Sequence, residues 1–210
     1  MQTVAEHRQW SSTAERVPGE AVPPDDRVVD AALRCIARWG LAKTTVDDVA
    51  REAGVGRATL YRLFPGGREA LLGAVVGREV ARLLDRLSGL AAAACSLEDV
   101  VVSWFGDVAA TVDGHPALQF LLAHEPESVL PHLAFQRLDA LLARAADAAG
   151  PLLARWLPAR EDQARAAEWL ARVVLSYSLA PSRQVDATAP ESVRRFAGAF
   201  ILPGLARSAT

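Results

Sequence analysis

The chain has 210 residues, 51% of them hydrophobic and 23% charged, with a formal net charge of −2. That length and apolar content can bury one sizeable core, or a small and a medium one, and they exclude an intrinsically disordered chain. The charge excludes a protein coated in positive charge for indiscriminate nucleic-acid binding. The longest charge-free runs, such as Leu87 to Leu97, fall short of the roughly 18 apolar residues of a membrane span, so a soluble protein is expected.

Residues 1–24 show no helical periodicity and collect Ser, Thr, Gly and Pro, which predicts a mobile N-terminal arm. No basic start followed by an apolar run is present, so no secretory signal is read and a cytoplasmic location is expected. A helix then opens on Asp25 and Asp26, carboxylates suited to the positive end of a helix dipole. Val29, Ala32, Leu33 and Ile36 form its apolar face and Arg27, Asp30, Arg34 and Arg38 its polar one. Gly40 ends it, as a residue tolerant of positive φ does.

The next segment carries the functional reading. Thr45 can cap a short helix whose apolar stripe is Val46, Val49, Ala50 and Ala53, and Gly54 stops that helix. A second short helix starts near Gly56 or Arg57 and turns Leu60 and Phe64 inward. Two helices joined so tightly must cross closely, which requires a small residue at Ala50 and an apolar anchor at Leu60. This is the helix-turn-helix pattern. In that geometry the second helix enters the major groove, so Arg57, Ala58, Thr59 and Arg62 are the candidates for base edges. Lys43, Thr45 and Tyr61 are placed for phosphates. From Gly40 to Arg68 five basic residues stand against three acidic ones, a mild basic bias.

Farther along, Ser96 and Asp99 resemble a capping box opening a helix with Trp104, Phe105, Val108 and Val112 on one face. Leu138, Leu141, Leu142 and Ala145 share another face, and breaks fall at Gly114-His115-Pro116, Gly150-Pro151, Pro158 and Pro181. No strand is convincing, so the fold class is all-α. Ala166, Trp169, Leu170, Val173, Val174 and Tyr177 line one face of the penultimate helix, and Ala167, Ala171 and Leu175 make the other apolar too. Such a helix must be covered on both sides. The last helix carries Val193, Phe196, Ala197, Phe200 and Ile201.

Other residues invite chemistry and carry less. Trp104, Phe105, Phe120, Phe135 and Trp156 are candidates for lining an apolar ligand pocket, against the alternative of ordinary core. His115, His124 and His132 flank turns without ligand spacing, so no metal and no cofactor is expected. Cys35 and Cys95 lack motif spacing and read as buried thiols. No phosphate-cradling loop and no nucleophile–base motif is present, so the chain does not read as an enzyme.

Asp25 to Leu72 resembles the N-terminal domain of the TetR family of bacterial regulators. The likeness is clearest in Thr44-Thr45-Val46, Ala50, Ala53-Gly54-Val55 and Thr59-Leu60-Tyr61-Arg62-Leu63-Phe64-Pro65. Two departures stand out. Gly56 occupies the position where the family often has a capping Ser, and Pro65-Gly66-Gly67 delays the family's basic residue to Arg68.

The resemblance implies a three-helix DNA-binding domain at 25–72, with Thr44 and Arg68 joining the phosphate contacts. It also implies a helical effector-binding and dimerisation domain at 73–210. Two subunits would pair through their last two helices, with Trp169, Val173, Tyr177, Phe196 and Phe200 at the interface. The implied function is a homodimeric repressor released from a pseudo-palindromic double-stranded operator by a small apolar or amphipathic effector. The alternative is an activator, a constitutive factor or a partner-controlled one with no small-molecule effector.

Overall fold

A computed structural model describes residues 24–128, 135–180 and 182–207. The predicted arm up to Pro23, His132 and Pro181 lie outside them. The described residues form helices and connecting turns, with no strand among them, so the chain is all-α.

Helix α1 (Pro24–Trp39) starts on Asp25 and Asp26 and ends at Gly40, whose φ is +84° and whose N–H donates to the Ile36 carbonyl at 2.9 Å. Its buried face is wider than the predicted stripe, because Val28, Ala31 and Cys35 are covered along with Val29, Ala32 and Ile36. The reason is tertiary. Three later helices, α2 (Val46–Ala53), α4 (Gly67–Ala93) and α6 (Pro116–His124), pack on α1 from different sides.

Between α2 and α4 lies α3 (Arg57–Leu63). Leu60 of α3 is fully buried among Val28, Ala50 and Phe64, while Leu71 and Val75 of α4 close the same cluster. Burying a leucine completely contributes about 1.5–3 kcal/mol.

Helix α4 is 27 residues long and belongs to two cores, since Leu71 and Val75 lie in the first and Leu87 and Ala91 in the second. The second core is built by α5 (Leu97–Gly114), α7 (Phe135–Ala149), a 3-10 turn (Gly150–Leu153) and α8 (Arg160–Leu179). It is completed by α9 (Pro190–Phe196), a π-helical stretch (Ala197–Ile201) and α10 (Leu202–Arg207). Ser96 caps α5 as predicted, its hydroxyl accepting from the Asp99 N–H at 3.1 Å. In α7, Leu142 is buried, while the side chains of Leu138 and Leu141 lie outside those described.

One expectation fails in this region. Cys35 is buried, but Cys95 is exposed. Its apolar neighbours belong to two helix ends, and the residue itself sits in the bend between the Ala94 cap of α4 and the Ser96 cap of α5, where nothing covers it. Among the described residues no helix is long and apolar enough to cross a membrane.

Candidate nucleic-acid interface

The turn between α2 and α3 is fixed by local chemistry. Thr45 caps α2 in a reciprocal box: its hydroxyl accepts from the Asp48 N–H at 3.2 Å, and the Asp48 carboxylate accepts from the Thr45 N–H at 3.2 Å. At the other end Gly54 adopts φ +66°, the left-handed conformation that lets the chain leave α2 and enter α3 three residues later. Gly56 precedes α3 with no side-chain cap, as its sequence position implies.

This geometry presents one face of α3 outward. Arg57, Ala58, Tyr61 and Arg62 are exposed and Thr59 is half-buried, while Leu60 anchors the opposite side. Lys43 and Thr45 are exposed just before α2, and Arg68 is exposed at the start of α4.

Thr44 is a correction. It is buried, and its hydroxyl donates to the Gly40 carbonyl at 2.6 Å, so the side chain braces the loop instead of facing outward. Arg68 also serves that loop, donating to the Leu41 carbonyl at 2.6 Å.

The electrostatics explain how a segment with three acids can face a polyanion. Asp47 pairs with Arg57 at 2.9 Å and Glu52 with Arg34 at 2.7 Å. Asp48 is held by Thr45 and by Arg51 at 3.2 Å. The Thr45 hydrogen bonds hold the Asp48 carboxyl below its ordinary range, and the Arg34 guanidinium does the same for Glu52. Among the described residues no carboxylate pairs with Lys43, Arg62 or Arg68. The negative charges of this segment are thus occupied by Thr45, Arg34, Arg51 and Arg57.

Sequence reasoning missed two residues here. Asp47 holds Arg57, which also lies over the Tyr61 ring at 5.5 Å. Glu125, directly after α6, accepts from the backbone N–H groups of Leu41 and Ala42. The only trace of Glu125 in the sequence is the following Pro126, which marks a helix end.

Of the residues predicted for the dimer interface, Trp169, Val173 and Tyr177 follow one another four apart on α8, and Phe196 and Phe200 stand four apart near the C-terminal end. Trp169 is 38% exposed and Phe200 70%, while Val173, Tyr177 and Phe196 are half-buried against the core. The Tyr177 and Phe196 rings lie 4.9 Å apart and those of Phe196 and Phe200 5.7 Å, with buried Phe105 behind both Tyr177 and Phe196.

Of the candidate pocket aromatics, Trp104 and Phe105 lie in the second core with Trp156 packed against it, whereas Phe120 lies on α6. Trp104 and Phe105 are buried in the second core, the Trp104 indole donating to the Leu87 carbonyl at 3.0 Å. Phe120 stacks on His124 at 4.5 Å in α6, and Trp156 lies under Arg155. The Phe135 side chain lies outside those described. His115 caps α6, its Nδ1 accepting from the Leu118 N–H at 3.1 Å.

Residues 28–75 match the family described as bacterial regulatory proteins, tetR family. The chain is 35% identical over 72 residues to the HTH-type transcriptional regulator SrpR of Pseudomonas putida, a match covering 34% of each chain. It therefore spans about a third of that relative's length. Among solved structures, the TetR family repressor AlkX from Dietzia sp. is similar with a TM-score of 0.63 and 22% identity, over 90% of this chain and 98% of that one. The fatty acid degradation regulator FadR from Bacillus halodurans is similar with a TM-score of 0.57 and 18% identity, over 87% and 98%. At these identities the two structures establish the shared fold.

Proposed function

We propose that the chain, whose residues 28–75 match the family described as bacterial regulatory proteins, tetR family, is a sequence-specific DNA-binding transcriptional regulator acting as a homodimer. The observation that carries the reading is the pair α2 and α3 crossed at Gly54, with Leu60 fully buried and Arg57, Ala58, Tyr61 and Arg62 turned outward from a helix slender enough for the major groove. Arg57 and Arg62 are the residues for guanine edges, and Ala58 and Thr59 supply methyl contact to thymine. Lys43, Thr45, Tyr61 and Arg68 grip the backbone.

Dimerisation through α8 and the C-terminal helices rests on the aromatic series that runs from buried Phe105 through Tyr177 and Phe196 to exposed Phe200. An aromatic side chain left open at the end of such a series loses area to water that a symmetric partner would cover. A two-fold dimer reads two half-sites about one helical turn, ~35 Å, apart, so the operator is a pseudo-palindrome.

An apolar or amphipathic effector is the second part of the proposal. Its support is apolar surface away from that interface: Leu72, Val76, Val80 and Leu84 follow one another four apart on α4, with Val76 58% exposed, and Leu121 and Leu122 of α6 are only half-buried. A ligand that favours one spacing of the two recognition helices shifts DNA binding by its differential affinity for that state.

The test is selection of bound sequences from random double-stranded DNA at near-physiological salt, where phosphate contacts do not dominate. Recovery of a palindrome is the expected result, and absence of any enriched sequence counts against the reading. Melting with fatty acids and long-chain alcohols tests the effector, since a ligand of the folded state raises the midpoint by mass action.

A further inference from the structure

We infer that Glu125 is a positioning residue for DNA binding: one carboxylate from the C-terminal domain fixes the loop that presents Lys43 and Thr45, an inference that rests on the DNA-binding reading above. The loop between α1 and α2 leaves the backbone N–H groups of Leu41 and Ala42 beyond the last turn of α1, where the helix offers them no acceptor. The Glu125 Oε2 atom takes both, at 2.9 and 3.1 Å, across 84 and 83 residues of sequence. Charge-assisted bonds of this kind are about twice as strong as neutral ones.

The rest of the loop is shaped to receive that carboxylate. A side chain at Gly40 would overlap the Glu125 carboxyl group and Cε1 of Phe120, and the backbone there has φ +84°, so space and conformation independently require glycine. Thr44 and Arg68 hold the carbonyls of Gly40 and Leu41, which leaves the two N–H groups to Glu125. Glu125 is itself held, its own N–H donating to the Leu121 carbonyl at 2.9 Å and its carbonyl accepting from the Ser128 N–H at 2.9 Å.

The loop lies immediately before Lys43 and the Thr45 cap of α2, so its placement decides where those two residues meet the phosphates. Glu125 makes no DNA contact in this arrangement and acts by removing the ordering that binding would otherwise impose on the loop.

The experiment compares Glu125→Ala, Glu125→Gln and Arg62→Ala with the parent, full-length, by anisotropy titration on the selected operator at several salt concentrations. Hydrogen exchange at Leu41 and Ala42 is measured alongside. Glu125→Ala is expected to bind about tenfold more weakly with an unchanged salt slope, because no phosphate contact is lost, while the two amides exchange faster. Glu125→Gln keeps an acceptor oxygen and is expected to recover to within about threefold of the parent. Parent-like or tighter binding by Glu125→Ala, or unchanged exchange at both amides, overturns the inference. If Arg62→Ala weakens binding while Glu125→Ala does not, the positioning role alone falls. If neither variant weakens it, the interface reading falls as well.

Discussion

Arg57 and Asp47 meet at 2.9 Å across the turn between α2 and α3, so the guanidinium placed foremost on the recognition helix is already held before any nucleic acid arrives. Both side chains are more than half exposed, and the pair adds little to stability. In the proposed DNA-binding role its effect falls on binding, because DNA would have to draw Arg57 away from a carboxylate that itself repels phosphate.

Asp47→Asn is therefore expected to tighten binding to random DNA about two- to fivefold at low salt while narrowing the gap between operator and random sequence. Competition titrations measure both quantities. Unchanged values would show that the pair has no part in recognition.

Arg57→Ala and Arg62→Ala should each weaken specific binding, by ~1–3 kcal/mol for whichever side chain reads a guanine, and leave the oligomeric state alone. Titration against operators altered one base pair at a time identifies the position each arginine reads, since the loss disappears where the base has already been changed.

The α2 cap gives a pH signature. Thr45 holds the Asp48 carboxyl below its ordinary value of 3.8, so the stabilisation is fully present above that value in the unfolded chain and is lost as pH falls through the lower folded value. Asp48→Ala should lower the melting midpoint at neutral pH, with the difference from the parent shrinking as pH drops below about 4. Thr45→Ala should cost about 1 kcal/mol at neutral pH through the lost cap. A difference that stayed constant down to pH 2 would mean that the carboxylate contributes nothing through its charge.

Phe200→Glu should shift the protein to a monomer by sedimentation and abolish palindrome binding while leaving the monomer folded, because the side chain is 70% exposed. A dimer of parental strength would place the interface elsewhere.

Thiol chemistry separates the two cysteines. Burial pushes the Cys35 thiol up, with Glu52 and Asp48 adding to the shift, whereas Cys95 lies in the open. A maleimide should label Cys95 quickly in the native protein and reach Cys35 only on unfolding, as peptide mapping would show.

The sequence is most readable where the determinants are local. The Thr45 cap, the Gly54 stop, the Ala50 crossing and the Leu60 anchor fall within sixteen residues, and each is dictated by its own backbone, so the helix-turn-helix is legible without knowledge of the rest. What depends on distant partners is not. The wide buried face of α1 exists because α2, α4 and α6 all pack on it, and α6 itself, apolar almost all round, gives no period from which to read a face. The Glu125 carboxylate has no local signature for two amides more than eighty residues earlier. Thr44, which the resemblance placed among the phosphate contacts, turns in to the Gly40 carbonyl, and Trp104 and Phe105 have the composition of pocket residues with the placement of core.

The π-helical stretch Ala197–Ile201 bears on how the last helix tolerates change. Val193, Ala197, Ile201 and Leu205 are all buried at a strict spacing of four, and Phe196 and Phe200 repeat that spacing on the outer side. An α-helix turns 3.6 residues at a time and would let such rows spiral away, whereas the wider π turn brings them back into line. Two straight rails result, one facing the core and one facing out. Insertion or deletion of one residue before Ala197 would rotate everything beyond it by about 100°, carrying Phe200 off its rail and Ile201 out of the core together. This helix is unforgiving in length.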